Sequence, residues 1–338
     1  MDILIKSFNR PFYLDRCIFS IYKFVSGDFS IKVLDDGTPE KYLQFIQEKY
    51  PDAVIVRSEN HAQKLKDVVE NRSNRTEING NQIPVKLWID AAKKASDYFI
   101  ITEDDVWFTE YLNINDLQKE AEKFGINLIK LGWLGNKTED NHNGLSSLSG
   151  NLDSLRPENL FLGGKRVMEA FFYNHLKFFS LLYKLKMVDN HTKNKYWTLN
   201  SILMGLYKKE YWLEIWKDME DVVDEKRQLV NASVYYKKNK DNPHFISRLK
   251  KEAMKTTFQS SATNSYHEYG YDFDVNTFNH IINEAWLKGE FDPLENFPRD
   301  FSFTYFEKVI KDEINVTEFR KWVAHFKTQY KNLGADVE

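Results

Sequence analysis

Three consecutive carboxylates, Glu103, Asp104 and Asp105, end an apolar stretch of the chain. Residues 98–101 before them are Tyr, Phe, Ile and Ile, a run typical of a strand buried on both faces of a parallel sheet. In open α/β sheets, ligands bind beyond the carboxyl ends of the strands, where these acids would lie. Because carboxylates are hard oxygen ligands, the cluster indicates a Mg²⁺ or Mn²⁺ ion shared with a phosphate. A solvated loop or the acidic start of a helix is the alternative interpretation.

The elements around this stretch alternate between strands and helices. Apolar runs predict four strands, at residues 2–7, 29–34, 53–56 and 97–102. Helices are predicted from Pro11, after Pro39 and from Pro84, and residues 60–82 predict a mixture of helix and loop. This order predicts a doubly wound α/β fold with a mostly parallel central sheet flanked by helices.

The second half of the chain has a less regular pattern. It predicts a helix at 112–124, a strand at 127–131, a long polar loop at 135–157, one long helix at 167–188 and a strand within 198–207 that leads into another helix. A C-terminal helical extension carries an apolar stripe, formed by Phe319, Trp322, Val323, Phe326 and Tyr330. We expect this stripe to cover the protein's own core. The predicted domains are 1–290, with halves 1–108 and 109–290, and the extension 291–338.

Composition limits the function classes. The chain has 338 residues, 42% of them hydrophobic, so it can bury a sizeable core. A net charge of −3 gives no overall attraction to nucleic acid, and the single Cys17 excludes an internal disulfide and a cysteine-based metal cluster. No run approaches the ~18 apolar residues of a membrane span, and residues 1–5 do not have the composition of a targeting segment. We therefore expect a cytoplasmic protein whose membrane contact, if any, is peripheral at the inner face.

Three motifs follow the first, second and fourth predicted strands: Asn9-Arg10-Pro11, Asp35-Asp36-Gly37-Thr38 and Glu103-Asp104-Asp105. In this order and spacing, residues 2–108 resemble the nucleotide-binding half of a family 2 glycosyltransferase with the GT-A fold. The acidic motif differs from the family's Asp-X-Asp by starting with glutamate, which coordinates metals as aspartate does. The resemblance implies a metal-dependent, inverting transfer of a sugar from a UDP- or GDP-linked donor to a carbohydrate or glycolipid acceptor.

The resemblance also implies roles for the residues of the donor site. Asp105 is the predicted direct ligand of Mn²⁺ or Mg²⁺, Glu103 is predicted to reach the ion through water or to bind the ribose, and Asp104 is predicted to bind either. Asp35 and Asp36 are predicted to hydrogen-bond the nucleoside, with Ser7 and Asn9 lining the same pocket. Arg10 would meet the base or a phosphate, and a surface salt bridge is its equal alternative.

On the acceptor side, the family pattern contains a Glu-Asp pair, which matches Glu220 and Asp221 here. An acceptor hydroxyl is a poor nucleophile, so a carboxylate base should take its proton, and Asp221 is the predicted base. Glu220, Asp224 and Glu225 are rival candidates, and a charged helix face is the alternative for all four. His267 is predicted to complete the metal shell through a neutral imidazole nitrogen, unless it is an ordinary surface or core histidine.

Two other functions fit parts of the pattern. A sugar nucleotidyltransferase would share the α/β core, but residues 7–10 contain no glycines for a phosphate-binding loop. A non-catalytic nucleotide- or carbohydrate-binding protein would keep the fold without turnover. The acidic triplet and the candidate base favour the enzyme.

Overall fold

The structure, a computed structural model, describes residues 1–74, 83–136, 143–201, 204–261, 269–291, 302–332 and 334–337. Its strands in chain order are β1 (Asp2–Ser7), β2 (Val25–Ser26), β3 (Ser30–Asp35), β4 (Val54–Arg57), β5 (Tyr98–Glu103), β6 (Trp107–Phe108), β7 (Leu112–Asn113), β8 (Leu128–Lys130), β9 (Asn143–Ser147), β10 (Leu152–Pro157), β11 (Met204–Lys208), β12 (Ile246–Leu249) and β13 (Met254–Lys255).

The helices are α1 (Pro11–Phe24), α2 (Glu40–Lys49), α3 (His61–Asn74), α4 (Val85–Lys94), α5 (Ile114–Phe124), α6 (Lys165–Tyr173), α7 (Phe178–Lys184), α8 (Lys209–Ile215), α9 (Glu225–Lys238), α10 (Val275–Leu287), α11 (Phe303–Ile310) and α12 (Val316–Asn332). Two 3₁₀ segments span His175–Lys177 and Thr192–Leu199. Among the described residues, no helix is both long and apolar enough to cross a bilayer.

Nine strands form one central sheet in the order β4-β3-β1-β5-β11-β8-β12-β10-β9. The first four are parallel, β11 runs antiparallel to both β5 and β8, and β12 runs parallel to β8. β10 and β9 extend the sheet as an antiparallel hairpin. Because only β11 and β10 run against the other seven strands, the predicted α/β class with a mostly parallel central sheet flanked by helices is confirmed.

Side chains of the central strands pack into a separate apolar core on each face of the sheet. In β1, Ile3 and Ile5 join one cluster, which includes buried residues of α1, α5 and α10–α12. Leu4, between them, joins the other cluster, which includes buried residues of α4, α6, α8 and α9. Burial on both faces explains why β1 and β5 read as continuous apolar runs without alternation.

The C-terminal extension packs as the apolar stripe predicts. Phe319 and Trp322 of α12 are buried in the same core as α1 and α10. Phe319 stacks on Phe278 of α10 with ring centroids 4.9 Å apart, and Phe306 of α11 contacts Phe12 of α1 at 5.8 Å. The expected docking on the main domain is therefore confirmed. The boundary at residue 290 stays a prediction.

The polar segment 135–157, predicted as a loop, instead contains the β9–β10 hairpin. β9 consists of Asn, Gly, Leu and two Ser and forms the edge of the sheet, so only backbone pairing with β10 marks it as a strand. Polar side chains are typical of a solvated edge strand. Because they give no alternation of apolar and polar residues, the sequence pattern does not predict a strand here. Residues 137–142 lie outside the described residues.

The single helix predicted at 167–188 is broken into α6, a 3₁₀ turn and α7. Asn174, Leu176 and Lys177 have positive φ angles of 56°, 53° and 58°, which an α-helix does not contain. Asn174 ends α6 because asparagine tolerates the left-handed conformation. The strand predicted within 198–207 is partly right, since the 3₁₀ segment ends at Leu199 and β11 follows.

Because the extension shares the main core, Phe319→Ala should lower the stability of the whole chain. Phe319 is fully buried, and deleting such a side chain costs about 3–5 kcal/mol. Urea denaturation followed by tryptophan fluorescence should show a single transition at a lower midpoint. The exposed Val69 of α3 offers a control, and Val69→Ala should leave the midpoint nearly unchanged. Two separate transitions would show that the extension folds apart from the core.

Candidate active site

The polar residues that follow β1, β3 and β5 lie together at the carboxyl edge of the sheet. Backbone hydrogen bonds join these strand ends, since Asp36 N donates to Ser7 O and Asp104 N donates to Lys6 O, both at 3.0 Å. β1 has β3 on one side and β5 on the other, which makes this edge the point where the strand order reverses. The three sequence motifs are therefore neighbours in space.

Asp35 builds the turn after β3. Its carboxylate accepts hydrogen bonds from the backbone N–H groups of Gly37 (3.2 Å) and Thr38 (3.0 Å) and from the Thr38 hydroxyl (2.5 Å). His61 Nε2 also lies 2.9 Å from Asp35 Oδ2. Asn9 N donates to Thr38 Oγ1 at 2.9 Å, so the turn also fixes the turn after β1. The fully buried Asp35 thus has a positioning role in addition to its predicted role toward a nucleoside.

Asp36 points toward α3 and forms a buried ion pair with Lys64. Burial raises the pKa of Asp36, and Lys64 offsets part of that rise. Gly37, next in the chain, has a φ of +135°, and a Cβ there would meet Lys64 and Phe8 at 3.0–3.1 Å. The turn therefore requires glycine both for its conformation and for its close contact with α3.

The guanidinium of Arg10 lies between Asp104 and Asp105. Arg10 Nη2 pairs with Asp104 Oδ1, and Arg10 Nη1 pairs with Asp105 Oδ2 at 2.8 Å. Asp104 also accepts a hydrogen bond from Phe8 N at 3.2 Å. The side chains of Arg10 and Asp104 are almost completely buried, whereas 15% of the Asp105 side chain is exposed. Of the two interpretations of Arg10, the structure shows an ion pair, but one inside the protein rather than on its surface.

Glu103 forms an ion pair with Lys6 rather than with Arg10. Its Oε1 lies 2.7 Å from Lys6 Nζ, which also lies 4.7 Å from the centre of the Trp88 ring. Burial alone would raise the pKa of Glu103, but Lys6 and Arg10 together lower it. In Asp104, burial and the neighbouring Asp105 outweigh Arg10 and raise the pKa to about 7. Burial also raises the pKa of Asp105, with Arg10 opposing the rise, so the cluster carries less negative charge than three free carboxylates would.

The described residues do not fit the metal ion that the resemblance implies. Arg10 holds the carboxylates of Asp104 and Asp105, and Lys6 holds that of Glu103. Within the described ranges, no group of three or more His, Cys, Asp or Glu side chains is placed to hold an ion. His267, the remaining predicted ligand, lies outside these ranges. In the structure, the guanidinium of Arg10 lies where the resemblance puts the ion.

A cavity of about 200 Å³ opens beside the Lys6–Glu103 pair. It is lined by Lys6, Ile83, Trp88, Ile101, Glu103, Trp197, Asn200, Ser201, Tyr207, Trp212, Trp216, Val223, Glu225 and Gln228. Five of the lining residues are aromatic: Trp212 stacks on Trp216 with ring centroids 5.2 Å apart, and Trp88 meets Trp216 edge-on at 5.5 Å. Asn200 Nδ2 donates to Gln228 Oε1 at 3.0 Å, which fixes two polar groups of the lining.

The four acids predicted on the acceptor side differ in their positions relative to the cavity. Glu220 and Asp221 are exposed in the segment before α9, and neither lines the cavity. Asp224 is the N-cap of α9, accepting from Arg227 N at 3.0 Å and from the Tyr173 hydroxyl. Glu225, at the first position of α9, lines the cavity together with Glu103. Glu225 is itself solvent-exposed, yet desolvation by the surrounding residues and the nearby Asp224 raise its pKa.

Charged groups of the site also act on Tyr330 of the C-terminal extension. Burial raises the pKa of Tyr330 in α12, and the charges of Glu103, Asp105 and Glu225 raise it further. The Tyr330 ring stacks on Phe258 with centroids 3.9 Å apart. In the sequence, Tyr330 is only the last residue of an apolar stripe, and nothing in its spacing indicates an electrostatic interaction with these acids.

Sequence patterns also gave no sign of Lys6, Trp88 and Gln228 as members of the site. Lys6 is a single lysine inside a predicted strand, and the tryptophan is on the apolar side of a predicted helix. Only the position of Lys6 could have indicated a role in the site, because Lys6 lies one residue before the end of the first predicted strand. The cavity joins segments that are distant in the chain, so it follows from tertiary packing.

No family model and no curated protein matches the chain. Among solved structures, TarS of S. aureus is similar over 99% of this chain and 54% of that one, with 12% identity and a TM-score of 0.41. This chain therefore spans about half the length of that protein. A TarS 1–349 structure in complex with UDP matches with 14% identity, coverage of 99% and 82% of the two chains, and a TM-score of 0.38.

The mannosyltransferase PcManGT from Pyrobaculum calidifontis, in complex with GDP-Man and Mn²⁺, is similar with 9% identity. The match covers 98% of this chain and 74% of that one, with a TM-score of 0.35. At these TM-scores and identities, the similarities do not carry an assignment of function.

Replacing Arg10 should destabilise the chain strongly, because it leaves buried carboxylates without their cation. We expect Arg10→Met to cost about 3–5 kcal/mol of unfolding free energy. The double variant Arg10→Met/Asp104→Asn should recover part of that loss, since it also removes a buried charge. Urea denaturation of the three proteins measures both effects.

Arg57 provides the matched control, because its ion pair with Glu40 is exposed. Arg57→Met should change the unfolding free energy by less than about 1 kcal/mol. An Arg10→Met loss as small as that of Arg57→Met would show that the acidic cluster does not depend on Arg10.

Proposed function

We propose that the chain is a glycosyltransferase that moves a sugar from a UDP- or GDP-linked donor to a hydroxyl group of a carbohydrate or glycolipid acceptor. The observation that carries this proposal is the tryptophan-lined cavity beside the acidic cluster, with the carboxylates of Glu103 and Glu225 in its lining. The sequence motifs at the three strand ends support the nucleotide part of the proposal, because these strand ends meet at one edge of the sheet.

A sugar ring fits the chemistry of the cavity. Trp88, Trp212 and Trp216 give the lining apolar surface that C–H groups of a pyranose could contact, and Asn200 and Gln228 offer hydrogen bonds to its hydroxyl groups. Pockets of this kind combine a mainly apolar wall with a few fixed polar groups that set the ligand's orientation. The polar pair is itself fixed by its mutual hydrogen bond.

The donor's diphosphate would lie at the strand ends, close to Arg10 and Lys6, the two cations that pair with the acidic cluster. Each would exchange a carboxylate partner for phosphate oxygens, and the planar guanidinium suits bidentate contact with them. Charge on the leaving diphosphate would then be stabilised by these side chains. Metal dependence and inversion, which the sequence resemblance implies, stay predictions, and no step here depends on an ion.

Glu225 is the proposed general base. It lines the cavity directly, and its raised pKa brings the carboxylate closer to the range in which a base is effective near neutral pH. Asp224 caps α9 through its carboxylate, so it positions Glu225 rather than facing the cavity. Asp221 remains the base that the resemblance predicts, and its backbone oxygen is bound by Ile83 N at the cavity wall.

The internal pairing of the acidic cluster favours a second candidate, a non-catalytic protein that binds nucleotides or carbohydrates. If Arg10 and Lys6 kept their carboxylate partners, a ligand could occupy the cavity without transfer. The two candidates differ in turnover: only the enzyme releases nucleoside diphosphate from a nucleotide sugar.

Incubation of the full chain with a panel of UDP- and GDP-sugars and saccharide or glycolipid acceptors tests this function. We expect release of UDP or GDP that increases with acceptor. Glu225→Gln should lower the rate about 10²–10⁴-fold, because the acceptor proton loses its base. Donor affinity, measured by calorimetry, should change little.

Two further variants make the assay specific. Glu48→Gln, on the exposed part of α2, is the control and should keep the wild-type rate. Asp221→Asn should keep most of the rate. A large loss in Asp221→Asn with full activity in Glu225→Gln would move the base to Asp221, and binding without any release would establish the non-catalytic candidate.

A further inference from the structure

Large apolar side chains are exposed together on and around α7. Of the twelve large hydrophobic residues exposed in the described parts of the chain, five form what we call the exposed ridge: Leu176, Leu181, Tyr183, Leu185 and Met187. Leu176 is fully exposed at 102%, and Met187 is 64% exposed. Single exposed hydrophobics are ordinary, whereas a contiguous group of them indicates an interaction surface.

The ridge is held by ordered structure beneath it. On the opposite side of α7, Leu182 is buried, and the Phe179 ring contacts Phe171 of α6 at 5.3 Å. The positive φ of Leu176 is an unfavourable conformation for leucine, and it accompanies complete exposure of the side chain. One face of α7 is thus committed to the core, and the other remains uncovered.

The charge along the ridge is mainly positive, and the nearest carboxylate in the sequence is the exposed Asp189, which directly follows this segment. Residues 174–188 contain three lysines, Lys177, Lys184 and Lys186, and no aspartate or glutamate, in a chain whose net charge is −3. All three lysines are exposed, and no described carboxylate lies within salt-bridge distance of them. Exposed apolar and cationic side chains are therefore interspersed along this segment.

We propose that the exposed ridge attaches the protein to the surface of an anionic lipid bilayer. The apolar side chains would enter the boundary between headgroups and acyl chains, and the lysines would contact the anionic headgroups. A protein partner fits less well, because the centres of protein interfaces are depleted in lysine. α7 has seven residues, so it would lie on the membrane rather than cross it.

The ridge is connected to the proposed active site through one layer of helices. The Tyr173 hydroxyl of α6 donates to Asp224, and Arg227 of α9 pairs with Glu169 of α6. Glu225, next to Asp224, lines the cavity. If the proposed function holds, attachment would bring this side of the protein to acceptors carried on the membrane surface. The attachment itself does not depend on transfer activity, so it is tested separately.

Co-sedimentation of the full chain with vesicles tests the proposal. The probes are vesicles of phosphatidylcholine alone and vesicles of phosphatidylcholine and phosphatidylglycerol in equal parts. We expect binding to the anionic vesicles that falls steeply with added salt, and little binding to the neutral ones.

Two sets of substitutions separate the contributions. Leu176→Ser/Leu185→Ser/Met187→Ser should weaken binding at least about tenfold by removing apolar insertion. Lys177→Gln/Lys184→Gln/Lys186→Gln should weaken it by a similar factor and flatten the salt dependence. Since all six side chains are exposed, unchanged circular dichroism is expected for both variants.

The exposed Tyr111 and Val69 provide a matched control, and Tyr111→Ser/Val69→Ser should bind like the wild type. Absence of binding to anionic vesicles would overturn the proposal, as would equal binding of the wild type and the ridge variant. Sedimentation velocity would identify the rival occupant: a dimer that the ridge variant converts to monomer, without vesicle binding, would assign the ridge to a second copy of the chain.

Discussion

The buried pairing of Arg10 with Asp104 and Asp105 determines the geometry of this end of the molecule. The pair connects the turn after β1 to the end of β5, and the buried carboxylates could not remain charged there without a cation. The Asp35 turn adds a second connection, through Thr38 to Asn9. These polar contacts fix three strand ends, which the apolar cores on the two faces of the sheet would otherwise leave free to shift.

The cavity depends on the same arrangement. Lys6 contacts Glu103 on one side and the Trp88 ring on the other, so the charge balance of the acidic cluster extends into the aromatic wall. Across the cavity, Asp224 fixes the start of α9 and so places Glu225. A rigid sheet edge and a capped helix together hold the carboxylates of Glu103 and Glu225 around one space, and the proposed transfer uses Glu225 as its base.

The first half of the fold could be predicted from local patterns, because β1, β3, β5 and their helices follow apolar periods within short segments. The ion-pair partners of the acidic cluster could not be predicted. Lys6 and Glu103, for example, are 97 residues apart in the sequence, and only tertiary packing brings them together. The β9–β10 hairpin was missed because a solvated edge strand needs no apolar alternation. The break between α6 and α7 was not predicted, because leucine and lysine rarely adopt the positive φ angles that Leu176 and Lys177 have here.

Arg10, a cation of the chain itself, pairs with Asp105, the residue that the sequence resemblance makes the direct metal ligand. Isothermal titration calorimetry of the full chain with UDP- and GDP-sugars, once in EDTA and once in Mn²⁺, measures whether donor binding needs an ion. We expect the donor to bind in EDTA and Mn²⁺ to add little affinity. Binding that requires Mn²⁺ would show instead that an ion displaces Arg10 from Asp104 and Asp105.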